Sequence, residues 1–204
     1  PKYVGELRMH GLINRAIQCF VRDTYGNSVW LDVARQADVD PPRFEAMLSY
    51  DDAVTTDVLE ALCARLNKSK ADVLEDIGTY LVSHPNVEPL RRLLRFGGVT
   101  FVEFLHSLDD LPARARLAVP DLWLPTLELH DKDGVQFELE CRGRYPGFGH
   151  VLLGMLRTMA DDYGALVFLD FCPVAPGADR IAVTLVESAF SEGRDFDLGA
   201  GVGG

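Results

Sequence analysis

The sequence predicts an α/β (α+β) chain, with a helical N-terminal part followed by an antiparallel four-stranded sheet that carries a helix across one face. Three observations predict it. Apolar residues recur at helical spacing as far as residue 119, and nothing before that point alternates with period two. Past Pro120 the chain turns into short runs rich in β-branched and aromatic residues, "PTLELHD", "GVQFELECR", "GALVFLDFC" and "RIAVTLVES", each bounded by turn residues. Between the second and third of these, "FGHVLLGMLRTMADDYG" returns to helical spacing, so the order reads β-β-α-β-β.

The elements follow in order. In "HGLINRAIQCFVRDTYG", Leu12, Ile13, Ala16, Ile17, Phe20 and Val21 share one face, and Gly26 ends the helix. Ser28 is placed to cap "SVWLDVARQADV", with Trp30, Val33, Ala34 and Ala37 turned inward. Pro41 and Pro42 open a further helical segment, "PRFEAMLSYDDA", and Thr56 starts "DVLEALCARLN". Ser69 caps "KADVLEDIGTYLVS", which "HPNVEP" breaks before "EPLRRLLRFG". "FVEFLHSLDDLPARARL", residues 101–117, then reads as one amphipathic helix with an anomaly at Pro112. A proline there has no amide hydrogen, and inside a helix its ring would clash with the carbonyl of Leu108. "DKDG" is the hairpin turn joining the first two strands, and the glycine-rich "SEGRDFDLGAGVGG" is expected to fray.

Composition narrows the function. A formal charge of -11 opposes binding to phosphate backbones or anionic lipid, so neither nucleic acid nor a membrane surface is expected as partner. No apolar run approaches the roughly 20 residues of a membrane span, and the N-terminus has no signal-peptide pattern, so a cytoplasmic location is expected. Cys19, Cys63, Cys141 and Cys172 stand too far apart for a zinc knuckle or disulfide framework and are expected to be buried thiols. His10, His84, His106, His130 and His150 include no pair at i,i+4, so a metal cluster would need distant segments. "GAGVGG" lacks a preceding strand and a following helix, and no serine sits in a G-x-S-x-G elbow. The paired acids at 51–52, 109–110 and 161–162 fall at turns or helix ends and are expected to face solvent. No acid-base or nucleophile set emerges, and the chain is not expected to be an enzyme.

Several segments taken together carry a resemblance. "MHGLIN" at 9–14, "YG" at 25–26, Trp30, "SYDDAVT" at 49–55, "LEDIG" at 74–78, "LLRFGG" at 93–98, "FLHSLDDL" at 104–111, and Pro120 with Pro125 occur in sequence order. At this spacing the chain resembles the haem-nitric oxide/oxygen-binding (H-NOX) domain, in the version found in soluble guanylate cyclase. The resemblance covers residues 9 to about 190. It implies a single domain over 9–190, with a helical lobe at about 9–119, a sheet-containing lobe at about 120–190, and flanking segments at 1–8 and 191–204. In the family a haem pocket lies between the lobes.

The resemblance also implies where the haem site would be. The family pattern beginning at Phe104 and Leu105 ends in the histidine that ligates iron. Counting forward from those residues, or backward from Pro125, which matches a proline packed on the porphyrin, puts that ligand at Pro112. Proline offers no donor atom. If residues 101–117 form one helix, His106 stands six positions earlier, about 240° around the axis at about 100° per residue. It is either a surface histidine or, if the proline kinks this turn, a substitute axial ligand. The family clamps the haem propionates with Tyr-x-Ser-x-Arg. The matching segment "LECRGRYPGF" puts Arg144 on the arginine, Arg142 on the serine and Glu140 on the tyrosine, so one charge repels a carboxylate and two attract it. Read without the resemblance, these are exposed charges on an edge strand. An emptied haem pocket would have to be refilled, at roughly 24 cal/mol per Å³ of cavity left. Phe101, Phe104, Trp123, Phe148 and Met155 are candidate fillers, Trp123 standing two residues before Pro125.

Two functional readings follow. The first is a haem-free H-NOX-like sensory module that binds another apolar or anionic molecule, or only a protein. The second is a haem-based nitric oxide or oxygen sensor with an unusual axial ligand such as His106. Standalone bacterial members of the family commonly pair with a histidine kinase or a cyclic-di-nucleotide enzyme, which the resemblance implies as the class of partner.

Overall fold

The computed structural model describes residues 8–190 and Gly193. Its elements, in order, are β1 (Arg8–His10), α1 (Gly11–Tyr25), α2 (Asn27–Gln36), β2 (Ser49–Asp51), α3 (Asp52–Leu66), α4 (Lys70–Ser83), a short 3-10 turn (Pro85–Val87), α5 (Glu88–Arg95), α6 (Phe101–His106), α7 (Leu111–Ala118), β3 (Thr126–Asp131), β4 (Gln136–Arg142), α8 (Phe148–Tyr163), β5 (Leu166–Ala175) and β6 (Ala178–Glu187). The predicted mixture of helices with one antiparallel four-stranded sheet is what the chain forms. The glycine-rich tail lies outside the described residues, apart from Gly193.

The chain separates into two compact units, one running to Val73 with Asp121–Trp123, the other comprising Leu74–Pro120 and the residues from Leu124 onward. In the first unit, Val21, Trp30, Val33, Ala34, Val58 and Leu62 bury their side chains between α1, α2 and α3. His10 is buried and caps α1, its Nδ1 accepting from the Leu12 amide at 3.2 Å. Four expectations fail in this unit. The N-terminal part is not all helix, because β1 and β2 pair antiparallel, with Met9 opposite Tyr50. The cap of α2 is Gly26 rather than Ser28, and α3 starts at Asp52, capped by Asp51, rather than at Thr56. Residues 41–48 are not helical. Two prolines in succession deny that stretch amide donors, and its backbone is satisfied by local backbone bonds and by the side chains of Gln18, Trp30 and Tyr50.

In the second unit the strand order is β3-β4-β6-β5, every pair antiparallel. Alternation decides which face is covered. Leu127, Phe137, Leu139, Cys141, Ile181 and Val183 are buried, and α8 lies on that side with His150 stacked 4.0 Å from the Phe171 ring. Helices α4 and α8 cross at two glycines. A Cβ on Gly78 would stand 2.0 Å from the Val151 carbonyl oxygen, and one on Gly154 would stand 2.1 Å from that of Glu75. Only residues without side chains permit that approach.

Two chemical expectations also change here. Asp162 does not face solvent; it is 1% exposed and accepts from Arg91 Nε at 2.5 Å. Of the four cysteines only Cys141 is buried, Cys19 and Cys63 being partly covered and Cys172 exposed. Burial, with Asp179 nearby, pushes the Cys141 thiol up to about 12.

Candidate functional site

The segment around Pro112 is not one kinked helix. Thr100 and Glu103 form a capping box that starts α6, which ends at His106. Residues 107–110 make a turn, and α7 begins afresh at Leu111, with Pro112 in its first turn. The amide a proline lacks is one that an α-helix leaves without an intrahelical partner there, so Pro112 neither breaks a bond nor clashes with Leu108. The predicted clash and the rotation separating His106 from Pro112 both fail, because each assumed a continuous helix. Pro112 is buried, and its neighbours Leu105 and Leu108 are 0% and 1% exposed.

Two side chains tie this turn to the sheet. Asp109 Oδ1 accepts from the backbone amide of Leu129, at the edge of β3, at 2.6 Å. His106 Nε2 lies 3.2 Å from Asp131 Oδ2, and its ring meets Phe137 edge-on at 6.1 Å. The His106 side chain is about half exposed, at 51%. Sequence spacing gave no sign of either tie, since both span 20 residues or more.

Of the charges matched to the propionate clamp, Glu140 and Arg142 occupy an internal strand, not an edge, because β4 lies between β3 and β6. Glu140 stands opposite Glu128 on one side and Arg180 on the other. Its Oε1 accepts from Arg180 at 3.0 Å, and its Oε2 accepts from Arg142 Nε at 3.1 Å and again from the second nitrogen of that guanidinium. The Arg142 hydrogen bonds, and then those of Arg180, hold the Glu140 carboxyl below its usual range. The hydrogen bonds to Glu140, and its negative charge, likewise raise Arg142 above the ordinary guanidinium value. Arg144 lies in the loop past β4, exposed, with its guanidinium carbon 4.7 Å from the Tyr145 ring. Pro125 is buried just before β3, close enough to Gly143 that a Cβ there would lie 3.0 Å from its ring. Phe148 opens α8 and is half-buried, whereas Trp123 is 64% exposed. Phe101, Phe104 and Met155 are buried.

One grouping escaped the sequence reading. Glu128, His130 and Glu140 bring donor atoms within 4.8 Å of one another across β3 and β4. Glu128 and His130 share a face as alternate strand residues, but only the register sets Glu140 opposite Glu128. With two arginines already on Glu140, the group carries no metal assignment.

The described residues contain no helix long and apolar enough to cross a membrane. Residues 10–168 match the haem-NO-binding family. Among curated proteins, the chain is 24% identical over 158 residues to soluble guanylate cyclase 89Da of Drosophila melanogaster, covering 78% of this chain and 24% of that protein. It is also 24% identical over 154 residues to soluble guanylate cyclase gcy-31 of Caenorhabditis elegans, covering 76% and 22%. The chain thus spans about a quarter of the length of these relatives. Among solved structures, the Fe(II) unliganded H-NOX protein from K. algicida superposes with a TM-score of 0.77 at 16% identity, covering 90% of this chain and all of that one. An H-NOX protein from S. oneidensis in the Fe(II)NO state gives 0.73 at 16% identity, covering 88% and 100%. The family is one of sensor rather than catalytic domains, and the chain belongs to it: this is a haem-NO-binding, or H-NOX, domain.

Proposed function

We propose that residues 9–190 form a sensory domain whose haem site has degenerated, and that it signals by binding a molecule other than haem or a protein partner. The observation that carries this reading is Pro112. At the position the family resemblance assigns to the iron ligand stands a buried residue with no donor atom, seated where it stabilises the start of α7. A change of helix start for ligand is a coherent substitution rather than a defect. Glu140 supports the reading from the other end of the site. A propionate meeting β4 would find a carboxylate already holding Arg142 and Arg180. The donor set therefore does not fit haem bound in the family manner. His106 does not readily replace the ligand, since its Nε2 faces Asp131 and half its side chain is in solvent.

The partner we propose is a separate cytoplasmic signalling protein, a histidine kinase or a cyclic-di-nucleotide enzyme of a bacterial host. The support is the family membership together with a matched region of the guanylate cyclases that amounts to about a quarter of their length. Haemin titration followed by absorption near 400 nm tests the cofactor reading, run in parallel on His106→Ala. No saturable sharp band in either protein is expected. A saturable band lost in His106→Ala would replace this reading with that of a haem sensor ligated by His106.

A further inference from the structure

Between α2 and β2, residues 37–48 have no regular secondary structure, yet four hydrogen bonds from the surrounding elements fix their path. The Trp30 indole Nε1 donates to the Pro42 carbonyl at 2.7 Å, and the Phe44 amide donates to the Gln18 side chain at 2.9 Å. The Glu45 amide donates to the Tyr50 hydroxyl at 2.8 Å, and the Gly11 amide to the Leu48 carbonyl at 2.7 Å. Trp30 and Gln18 are buried, so the loop is anchored to the core of its unit. A Cβ on Gly11 would stand 2.1 Å from the Glu45 carbonyl oxygen, which leaves only glycine able to back the loop so closely. An irregular stretch of this length, held in one path, is characteristic of binding loops rather than spacers.

This loop borders a half-open cleft of about 360 Å³ together with the start of α3 and β2. Its apolar lining comes from Val39, Phe44, Leu48, Tyr50 and Val54. The Tyr50 ring is set edge-on against Phe44, 5.0 Å between centroids. The charged lining is Asp38, Asp40 and Glu45 against a single cation, Arg43, whose Nε lies 3.4 Å from Glu45. Three carboxylates against one guanidinium make the cleft net negative, with an apolar, partly aromatic remainder to its lining. A volume in the low hundreds of Å³ suits a small molecule.

We propose that this cleft binds a small organic ammonium ion with an apolar body, the charge facing Asp38 and Asp40 and the body lying on Val39, Leu48 and Tyr50. Carboxylates and an aromatic ring attract an ammonium by Coulomb and cation-π forces and repel an anion. The site is distinct from the segments around Pro112 and β4, and it does not depend on whether haem binds.

The test is an amide NMR titration with three probes of similar shape and different charge: benzylamine, benzyl alcohol and benzoate. Benzylamine is expected to shift the Trp30 indole and the amides of residues 38–54 saturably, with Kd around 1 mM or tighter for so small a ligand. Benzyl alcohol should bind about tenfold more weakly, and benzoate should leave these signals unmoved. Asp38→Asn and Asp40→Asn alter exposed residues, and asparagine tolerates the positive φ of 53° at position 38, so both variants should fold. Each should weaken benzylamine several-fold while leaving benzyl alcohol unchanged. Equal affinity for the amine and the alcohol, binding of benzoate, or the absence of saturable shifts at 38–54 would overturn the proposal.

Discussion

A proline is harmful or harmless according to which amide it removes. At Pro112 the amide is one that the first turn of α7 leaves without an intrahelical partner, and the fixed φ suits a helix start. Pro112→Ala should therefore change unfolding free energy by only about 1 kcal/mol, chiefly through lost burial of the ring. Ala115→Pro, four residues into the same helix, should cost about 3 kcal/mol or more. Denaturant midpoints of the two variants decide the matter, and equal costs would contradict the helix boundary at Leu111. The anomaly at 112 was legible in the sequence; its harmlessness was not. The break at 107–110 is held by Asp109 on the Leu129 amide and by His106 against Asp131, contacts that exist only once β3 is in place. Glu140 teaches the same lesson. Its charge is plain in the sequence, but its neutralisation depends on Arg180 lying opposite across β4 and β6, which register alone decides.

Elements with a strong local period were legible, and those built by pairing across the chain were not. All four strands of the sheet and α8 stand where alternation and helical spacing put them. The three-residue strands β1 and β2 are too short to show a period, and they exist because Gly11 lets the 45–48 loop approach the start of α1. The crossing of α4 and α8 is likewise a pairing property. Gly154→Ala would place a methyl 2.1 Å from the Glu75 carbonyl oxygen. On an exposed helix that exchange stabilises by about 1 kcal/mol, but here it should lower unfolding free energy by more than about 2 kcal/mol. Chemical denaturation with an unchanged far-ultraviolet spectrum would bear this out; a stabilised variant would mean that the helices are not in such close contact.

For the whole molecule, the family determines the fold while individual residues determine what the fold senses. Identities of 16% to the H-NOX structures leave room for most side chains to change while the elements and their order persist. The chain carries a formal charge of -11, and the cleft at 38–54 concentrates part of that charge beside apolar surface. The central claim concerns position 112, and haem content measures it most directly. The protein should be purified from cells supplied with a haem precursor and assayed by pyridine haemochromogen for haem per chain. The account predicts a content far below stoichiometric. One haem per chain, retained through purification, would contradict it.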